Sequence, residues 1–469
     1  MKSFAIELDD RAISFARDGI VLSSAPAAVF DGSTAEVAGT GAWHALRSHP
    51  TVTSSRHLQS LLSETEVSDR ALALTAANLA RRLDECRPTD GESVWLAAPA
   101  FADAPGLGTA LGIIRTLSLP VGGFIDAAAV AVGALGLERS AIVIELGLHH
   151  VAATAVDVGG GMARRRRSVL SQRGGLIEIY QAWLEFISTA MVKRTRFDPR
   201  HDAVSEQELF DAIPALVNTV ESKGAATAVV TSGQGGDSFE VELSRDQFAQ
   251  AAVPLNREFL RLIHELRPAG SPVSLVMPNL VARIPGLREE IEQFVGCDLI
   301  GCDDGFAAAA LSISDLPRLS ADATQIKTGV GTVHLLRRLP LHPHEELAGM
   351  VTRQHLGGRK AGGPPPTHLL LDGRALAIGS DAIVVGRAPG DGRGVRLPDG
   401  LAGVSRRHCT FVRDGSELVL LDHSSFGTFV NGERVAERVR VYAGDRVRLG
   451  EPGIEFALIT VGEATAESV

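Results

Sequence analysis

The chain has 469 residues, of which 45% are hydrophobic and 22% are charged, and its formal net charge is −10 at pH 7. This balance is typical of a globular protein with a sizeable core, and it excludes wholesale disorder, collagen and a small disulfide-stapled scaffold. The negative charge argues against general binding to nucleic acid or anionic lipid, because such binding requires an excess of lysine and arginine. We therefore expect no nucleic-acid partner.

The cysteines and the apolar segments indicate where the protein resides. The four cysteines are scattered: Cys86, Cys297, Cys302 and Cys409. Their spacing fits neither a zinc ribbon nor a redox motif, so we expect reduced thiols and no metal site. The first ten residues carry carboxylates where an export signal needs an apolar run. The stretch 121–137 is too short and too polar for a membrane span. We expect a cytoplasmic protein with no membrane span.

Residues 1–316 alternate between strand-like and helix-like patterns. Strand-like apolar runs lie at 4–8, 12–16, 93–97, 141–146, 150–158 and 274–278. Helical spacing of apolar residues occurs at Leu72, Ala76, Leu79 and Leu83, at Leu107, Leu111, Ile114 and Leu117, and across 176–191. Strands and helices mixed in this order predict an α/β unit.

The remaining chain divides into a linker, a β-rich unit and a tail. Residues 317–366 look irregular and end in the run GGRKAGGPPP. Because glycine weakens and proline blocks helices and central strands, this segment is predicted to be a linker. Residues 367–462 contain short apolar runs separated by Gly, Asp and Asn, which is typical of an all-β sandwich. Residues 463–469 form a tail.

Three motifs follow one another in the β-rich unit. Gly386-Arg387 closes a predicted strand, the tetrapeptide 405–408 reads Ser-Arg-Arg-His, and 422–432 reads Asp-His-Ser-Ser-Phe-Gly-Thr-Phe-Val-Asn-Gly. Together they resemble the forkhead-associated (FHA) domain, in which loops at one end of the sandwich bind phosphothreonine. The resemblance implies a phosphothreonine-containing protein as partner and a Ser/Thr protein kinase upstream.

The resemblance also implies which residues bind the phosphopeptide: Arg387, Ser405, Arg406, Ser425 and Phe426. A phosphate group with nearly two negative charges favours a planar guanidinium and short hydroxyl or amide donors. Six arginines and two aspartates occur between 386 and 413. Such a run is commonly a set of solvated loop charges. The three motifs in register favour phosphate recognition instead.

Four further residues are expected to support these loops rather than to bind: Gly386, His408, Gly427 and Asn431. A neutral imidazole donates from one nitrogen and accepts at the other, so His408 is expected to prop the loop rather than to catalyse a reaction. Asn431 stands in a hairpin turn that tolerates positive φ. The family has Asn where this chain has Phe426, which cannot bond to a peptide backbone. Peptide selectivity beyond the phosphate is therefore the doubtful part of the resemblance.

The first unit resembles a diverged actin-like ATPase, a superfamily that includes actin, sugar kinases and DnaK-type heat-shock chaperones. The segments 6–13 and 145–150 stand where the family has its two phosphate loops, and 125–133 matches its connecting segment. The adenosine motif survives only at 281–286, before a predicted helix at 304–310. The resemblance implies an α/β, ribonuclease-H-like, two-lobed fold with ATP and Mg²⁺ as the family's ligands.

The phosphate loops have lost the residues that ATP needs. Glycines let backbone N–H groups approach phosphate oxygens. Here Asp9 and Asp10 bring negative charge to the first loop, and residues 148–150 bring bulk to the second. The remnants of a nucleotide or metal site are Glu7, Glu145 and Gly147. The alternative, which we prefer, treats the two glutamates as charges at strand ends. We expect a degenerate unit without hydrolysis.

These observations favour a phosphothreonine-dependent adaptor or scaffold in bacterial Ser/Thr-kinase signalling. Its FHA-like domain would capture a phosphoprotein, and its actin-like unit would dock a second partner, with no catalytic residue and no required cofactor. The alternative is a chaperone-like ATPase, with ATP and Mg²⁺, that is recruited through its FHA domain. The basic run 164–167 lacks adjacent aromatic residues, so a hairpin flank or a docking patch is favoured over a nucleic-acid site.

Overall fold

The computed structural model describes residues 3–30, 37–64, 66–233, 236–267, 272–292, 297–316, 324–328, 331–354, 365–371, 374–390, 392–415, 417–431, 433–451 and 453–460. Contacts between residues divide the chain into two compact units. The first unit contains Met1–Leu266, Ser274–Arg288 and Leu299–Gln354, and the second includes His355–Val469.

The strands up to residue 354 are short and spread along the sequence. In chain order they are β1 (Ser3–Glu7), β2 (Ile13–Arg17), β3 (Ile20–Ala25), β4 (Val29–Phe30), β5 (Val37–Ala38), β6 (Thr53–Ser54), β7 (Ser93–Ala98), β8 (Val121–Asp126), β9 (Ala141–Leu146), β10 (Val151–Gly159), β11 (Met162–Ser171), β12 (Ala225–Thr231), β13 (Ser238–Ser244), β14 (Val273–Pro278), β15 (Cys297–Cys302), β16 (Thr324–Thr328), β17 (Gly331–Leu336), β18 (Arg338–Pro340) and β19 (Val351–Gln354).

Helices separate many of these strands. They are α1 (Thr40–Trp43), α2 (His57–Ser63), α3 (Asp69–Cys86), α4 (Ala104–Thr116), α5 (Ala127–Leu135), α6 (Leu176–Thr195), α7 (Ala203–Lys223), α8 (Arg245–Leu266), α9 (Asn279–Ala282), α10 (Leu287–Ile291) and α11 (Phe306–Ile313). Short 3₁₀ turns occupy Pro199–His201 and Glu345–Met350. Among the described helices, none has the length and apolar character needed to cross a membrane.

Two seven-stranded sheets in the described residues form the frame of the first unit. The first sheet has the order β16-β17-β8-β7-β1-β2-β3, and the second has the order β18-β11-β10-β9-β14-β15-β19. In the first sheet β1 pairs antiparallel with β2 and parallel with β7. In the second sheet β9 pairs antiparallel with β10 and parallel with β14. The two sheets therefore repeat one arrangement around the central strands β1 and β9.

Local sequence explains why the helices begin and end where they do. The Ser68 side chain accepts the N–H of Ala71 at the start of α3, and the Asp126 side chain accepts the N–H of Ala129 at the start of α5. These caps satisfy N–H groups that have no partner within the helix. Gly136 ends α5 in the left-handed conformation. The alanine-rich helix α5 is buried and contacts strands of both sheets, because its small side chains allow close packing.

Most of the elements predicted for the first unit are confirmed. The three helical patterns correspond to α3, α4 and α6, and the six strand-like runs correspond to β1, β2, β7, β9, β10 and β14. The helix expected at 304–310 is α11. The described residues thus form a mixed α/β unit.

The linker prediction for 317–366 is wrong for part of its length. Residues 324–328 and 331–354 contain β16 to β19, which pair with strands of both sheets of the first unit. For example, Leu335 and Leu336 pair with Phe124 and Ile125 of β8. The first unit consequently extends to Gln354 rather than to residue 316. Residues 355–364, which include most of the Gly/Pro run, lie outside the described residues, as does the tail at 463–469.

The second unit is an all-β sandwich, as predicted. Its strands are β20 (His368–Leu371), β21 (Arg374–Ala377), β22 (Ile383–Gly386), β23 (Gly394–Arg396), β24 (Cys409–Asp414), β25 (Glu417–Asp422), β26 (Thr428–Val430), β27 (Glu433–Arg434), β28 (Arg438–Val441), β29 (Arg446–Leu449) and β30 (Ile454–Ile459). One described sheet has the order β21-β20-β30-β29-β26-β27 and the other has the order β23-β22-β24-β25-β28. Buried side chains such as Val385, Phe411 and Leu420 form the core.

Candidate functional site

Two loops of the second unit are joined by backbone hydrogen bonds where β22 ends and β24 begins. The N–H of Arg387 donates to the carbonyl of Ser405 at 3.2 Å, and the N–H of Ala388 donates to the carbonyl of Arg406 at 2.8 Å. A Cβ atom at Gly386 would lie 2.2 Å from the Arg406 carbonyl oxygen, so only glycine permits this approach. The residue predicted to support the loops therefore does so through close backbone contact.

His408 connects one of these loops to a third loop from the interior. Its Nδ1 accepts the N–H of Ser405 at 3.0 Å, and its Nε2 lies 3.1 Å from the carbonyl oxygen of Gly427. The geometry requires a neutral ring with its proton on Nε2, because Nδ1 is an acceptor. Burial lowers the pKa of His408 below its usual value, which favours that neutral form. His408 therefore links the segments that contain Ser405 and Gly427, and its role in supporting peptide binding stays a prediction.

The third loop, after β25, is shaped by Asp422 and reaches Ser405. One Asp422 oxygen accepts the N–H of Ser424 at 3.0 Å and the hydroxyl of Thr428 at 2.7 Å. The N–H of Ser425 donates to the Ser405 hydroxyl at 3.2 Å. Two of the predicted binding residues, Ser405 and Ser425, are thus in direct contact.

The charged residues of this site retain unused donors. The Nε of Arg387 is buried and has no hydrogen-bond partner among the described residues. Arg406 is exposed, and so is Ser425. A guanidinium N–H that lacks a partner can donate to an anionic oxygen, as hydroxyl and amide groups can. This cluster of residues has the chemistry of a phosphate-binding site.

Phe426 and Asn431 differ in their relation to the site. Phe426 follows Ser425 and is 59% exposed, an unusual position for a large apolar side chain. Asn431 has a φ of 51° and donates to Asp445 at 2.6 Å, while its side-chain oxygen accepts the N–H of Arg446. Asn431 thus holds the turn after β26 against the loop before β29, rather than the loops that contain Arg387 and Ser405.

The cleft between the two sheets of the first unit is occupied by Arg11. Its Nε donates to the Leu146 carbonyl at 3.0 Å, and its guanidinium forms ion pairs with Asp304 and, at 3.3 Å, with Asp9. The Arg11 side chain is only 8% exposed. Burial acts to lower the pKa of Arg11, but Asp304 and Asp9 raise it above its usual value. A permanent positive charge therefore lies between the two loops that resemble phosphate loops.

Carboxylates of the protein accept the backbone N–H groups around this cleft. Asp10 accepts the N–H of Leu148 at 2.9 Å, Glu145 accepts that of Ala100 at 2.6 Å, and Glu7 accepts that of Ala308 at 3.1 Å. The expectation that Asp9 and Asp10 would direct repulsive charge at a triphosphate needs correction. Asp10 bonds the second loop and Asp9 is paired with Arg11, so both stabilise the closed cleft.

The space that remains in the cleft is small. A cavity of about 70 Å³ is lined by residues that include Glu7, Arg11 and Glu145, and a second of about 30 Å³ lies against Gly147 and His150. A Cβ atom at Gly147 would lie 2.2 Å from the His150 ring. The absence of a side chain at Gly147 therefore accommodates an imidazole. Each of these two volumes is that of a few water molecules.

Burial shifts the two glutamates predicted as a remnant metal site towards their protonated forms. Burial raises the pKa of Glu7 to about 8, with Asp9 adding to the effect, and burial likewise raises the pKa of Glu145 to about 8. A protonated carboxyl is a poor ligand for Mg²⁺. Among the described residues, no group of three or more His, Cys, Asp or Glu side chains is arranged to hold a metal ion.

The basic run 164–167 has partners within the first unit. Arg165 forms an ion pair with Asp126 at 2.7 Å, Arg167 pairs with Glu265 at 2.6 Å, and Arg166 lies 3.6 Å from Asp157. Asp126 is buried, so its bond to Arg165 connects β8 of the first sheet to β11 of the second. Three of the four arginines thus have local carboxylate partners.

Comparison with known families agrees with the geometry of the second unit. Residues 383–450 match the family model of the FHA domain, and this range contains Arg387, Ser405, His408 and Ser425. The predicted resemblance of the C-terminal unit is therefore confirmed. No curated protein matches the chain. The resemblance of the first unit to actin-like ATPases stays a prediction.

Proposed function

We propose that this protein is a phosphothreonine-dependent adaptor, in which the FHA domain captures a phosphorylated protein and the first unit docks a second partner. The observation that carries the proposal is the buried Nε of Arg387, which has no partner among the described residues and lies in the loop bonded to Ser405. The match to the FHA family supports phosphoproteins as its ligands. We further propose that a bacterial Ser/Thr protein kinase modifies the ligand.

The contacts of the site suggest a division of roles. The guanidinium of Arg387 would neutralise the phosphate, and the Ser405 hydroxyl would donate to one of its oxygens while continuing to accept the Ser425 N–H. A hydrogen bond to a charged group contributes about 1.5 to 3 kcal/mol. Loss of the Arg387 guanidinium should therefore cost at least a factor of ten in affinity.

The test measures binding of a phosphothreonine peptide library and of the same unphosphorylated library to the full chain. We expect binding only with phosphate, and more than tenfold weaker binding by Arg387→Ala. The matched control is Arg438→Ala. Arg438 is 63% exposed on β28, and its replacement by alanine removes the same charge as Arg387→Ala. Equal binding of both libraries by the wild-type chain would refute the proposal.

We infer that the first unit is a degenerate, nucleotide-free member of the actin-like superfamily. The repeated strand order of its two sheets supports the fold assignment. The position of Arg11 and the cavities of about 70 and 30 Å³ support the absence of bound nucleotide. A ligand that does not bind the folded state cannot raise its unfolding temperature. Millimolar Mg-ATP should therefore leave the thermal unfolding of the chain unchanged.

The second candidate is a chaperone-like ATPase that is recruited through its FHA domain. The repeated topology favours it, because this arrangement places Glu7 and Glu145 on the two central strands. Under that function Arg11 would have to leave the cleft for ATP to enter. Stabilisation by Mg-ATP that is lost in Glu7→Ala would favour the ATPase over the docking unit.

A further inference from the structure

The first unit contains a larger cavity away from the cleft filled by Arg11. It has a volume of about 560 Å³ and lies among the segment 46–60, the start of α3, and His149 of the second loop. Sites for small molecules generally have volumes of about 300 to 1,000 Å³. We refer to it as the basic cavity, because its charged lining residues are Arg47, Arg56 and Arg70.

The lining of the basic cavity has one sign of charge. Among the described residues, no aspartate or glutamate lines it, whereas hydroxyl groups are abundant: Thr51, Thr53, Ser54, Ser55, Ser60 and Ser68. Guanidinium and hydroxyl groups are the donors that proteins use for phosphate. On a chain with a net charge of −10, a concave site lined only by basic and neutral groups is a local exception.

Two of the arginines retain binding capacity. Arg56 is exposed, and within the described part of the chain its side chain has no ion pair. Burial lowers the pKa of His149, and the positive charge of Arg56 lowers it further. Arg56 therefore lies near the His149 ring in the cavity wall. The buried Nε of Arg47 also has no hydrogen-bond partner among the described residues, although other nitrogens of that side chain bond to Gln181 at 2.6 Å and pair with Glu206 at 3.7 Å.

Hydrogen bonds fix the polar groups around these arginines. The Ser55 hydroxyl lies 2.9 Å from Nε2 of His149, and Asn78 donates towards Nε2 of His57 at 3.3 Å. Burial lowers the pKa of each of these two histidines to about 4, so both rings are neutral at pH 7. His149 therefore orients the Ser55 hydroxyl without adding charge, and the positive charge of the cavity comes from its arginines.

We propose that the basic cavity binds a phosphorylated small molecule, with its phosphate held by Arg56 and the neighbouring serine hydroxyls. The volume exceeds what a single inorganic phosphate occupies, so room remains for an organic part. This site is independent of the FHA domain, and its ligand is independent of the phosphothreonine partner.

The test titrates pyrophosphate into the full chain by calorimetry. All variants carry Arg387→Ala, which removes the phosphate-binding arginine of the FHA domain. We expect one pyrophosphate site, at least tenfold weaker binding after Arg56→Ala, and unchanged binding after Arg81→Ala. Arg81 is an exposed residue of α3 that does not line the cavity. Arg81→Ala therefore removes the same charge as Arg56→Ala without changing the cavity.

A second readout locates the ligand. Pyrophosphate should shift the imidazole NMR signals of His149 and His57, whereas those of His342 and His344, which line a different cavity, should not move. Absence of pyrophosphate binding, or binding that Arg56→Ala leaves unchanged, would overturn the proposal. Phosphothreonine binding by a chain with Arg56→Ala alone should equal that of the wild type, which separates failure of this site from failure of the FHA site.

Discussion

Replacement of Arg11 by methionine should destabilise the first unit substantially. Arg11 is 8% exposed and contacts Asp9, Asp304 and the Leu146 carbonyl. Removal of one partner of a buried ion pair costs about 3 to 5 kcal/mol, because the remaining charges stay buried without compensation. Asp304 is 48% exposed and therefore partly solvated. We expect Arg11→Met to lower the free energy of unfolding by about 3 kcal/mol, the lower end of this range. For a unit of this size, this corresponds to a fall of about 4 °C in unfolding temperature.

The effect of Arg11→Met should depend on pH. Burial raises the pKa of Asp9 above its usual value, so Asp9 takes up a proton under mildly acidic conditions. A neutral Asp9 no longer attracts Arg11, and the loss caused by Arg11→Met should therefore be larger at pH 7.5 than at pH 5. Calorimetric unfolding at both values checks this. An unfolding temperature that Arg11→Met leaves unchanged at pH 7.5 would refute the reasoning.

Three further predictions concern the FHA domain. Gly386→Ala should lower the unfolding temperature of the second unit and weaken phosphopeptide binding, because its Cβ would lie 2.2 Å from the Arg406 carbonyl oxygen and overpacking costs about 1 to 3 kcal/mol. Acidification should weaken peptide binding as pH falls through the depressed pKa of His408, since a protonated Nδ1 cannot accept the Ser405 N–H; NMR of the His408 ring separates this from protonation of the phosphate. Phe426→Asn should sharpen peptide selection in a library screen without changing the requirement for phosphate, and an unchanged preference would contradict that role.

The elements that the sequence predicts well are those with a strong local signal. The helix α3 has a serine cap and regularly spaced apolar residues, and the strand β1 is a short apolar run that is almost fully buried. The strands β16 to β19 lack such a signal, because each has six residues or fewer and is stabilised by pairing with distant strands. For this reason the segment 317–366 resembles a linker when only local patterns are considered.

The same distinction applies to the two sites. The FHA loops are recognisable because their residues occur in a fixed order within about 50 positions, and the structure brings Arg387, Ser405 and Ser425 together through adjacent hydrogen bonds. Arg11 carries no comparable pattern, since its partner Asp304 lies 293 positions away. A local signal is the sequence Asp9-Asp10-Arg11, because an arginine that directly follows two aspartates can form an ion pair with one of them.

The contacts across the cleft favour the docking role that we propose for the first unit over a nucleotide-dependent switch. Arg11 bonds to Leu146, Asp10 to Leu148, Glu145 to Ala100 and Arg165 to Asp126, and each bond joins an element of the first sheet to one of the second. In a nucleotide-dependent switch the ligand supplies such contacts, and its loss releases them. Here the protein supplies them itself. These contacts maintain the relative position of the two sheets without a ligand, and under the proposed function they would give a docking partner one constant surface.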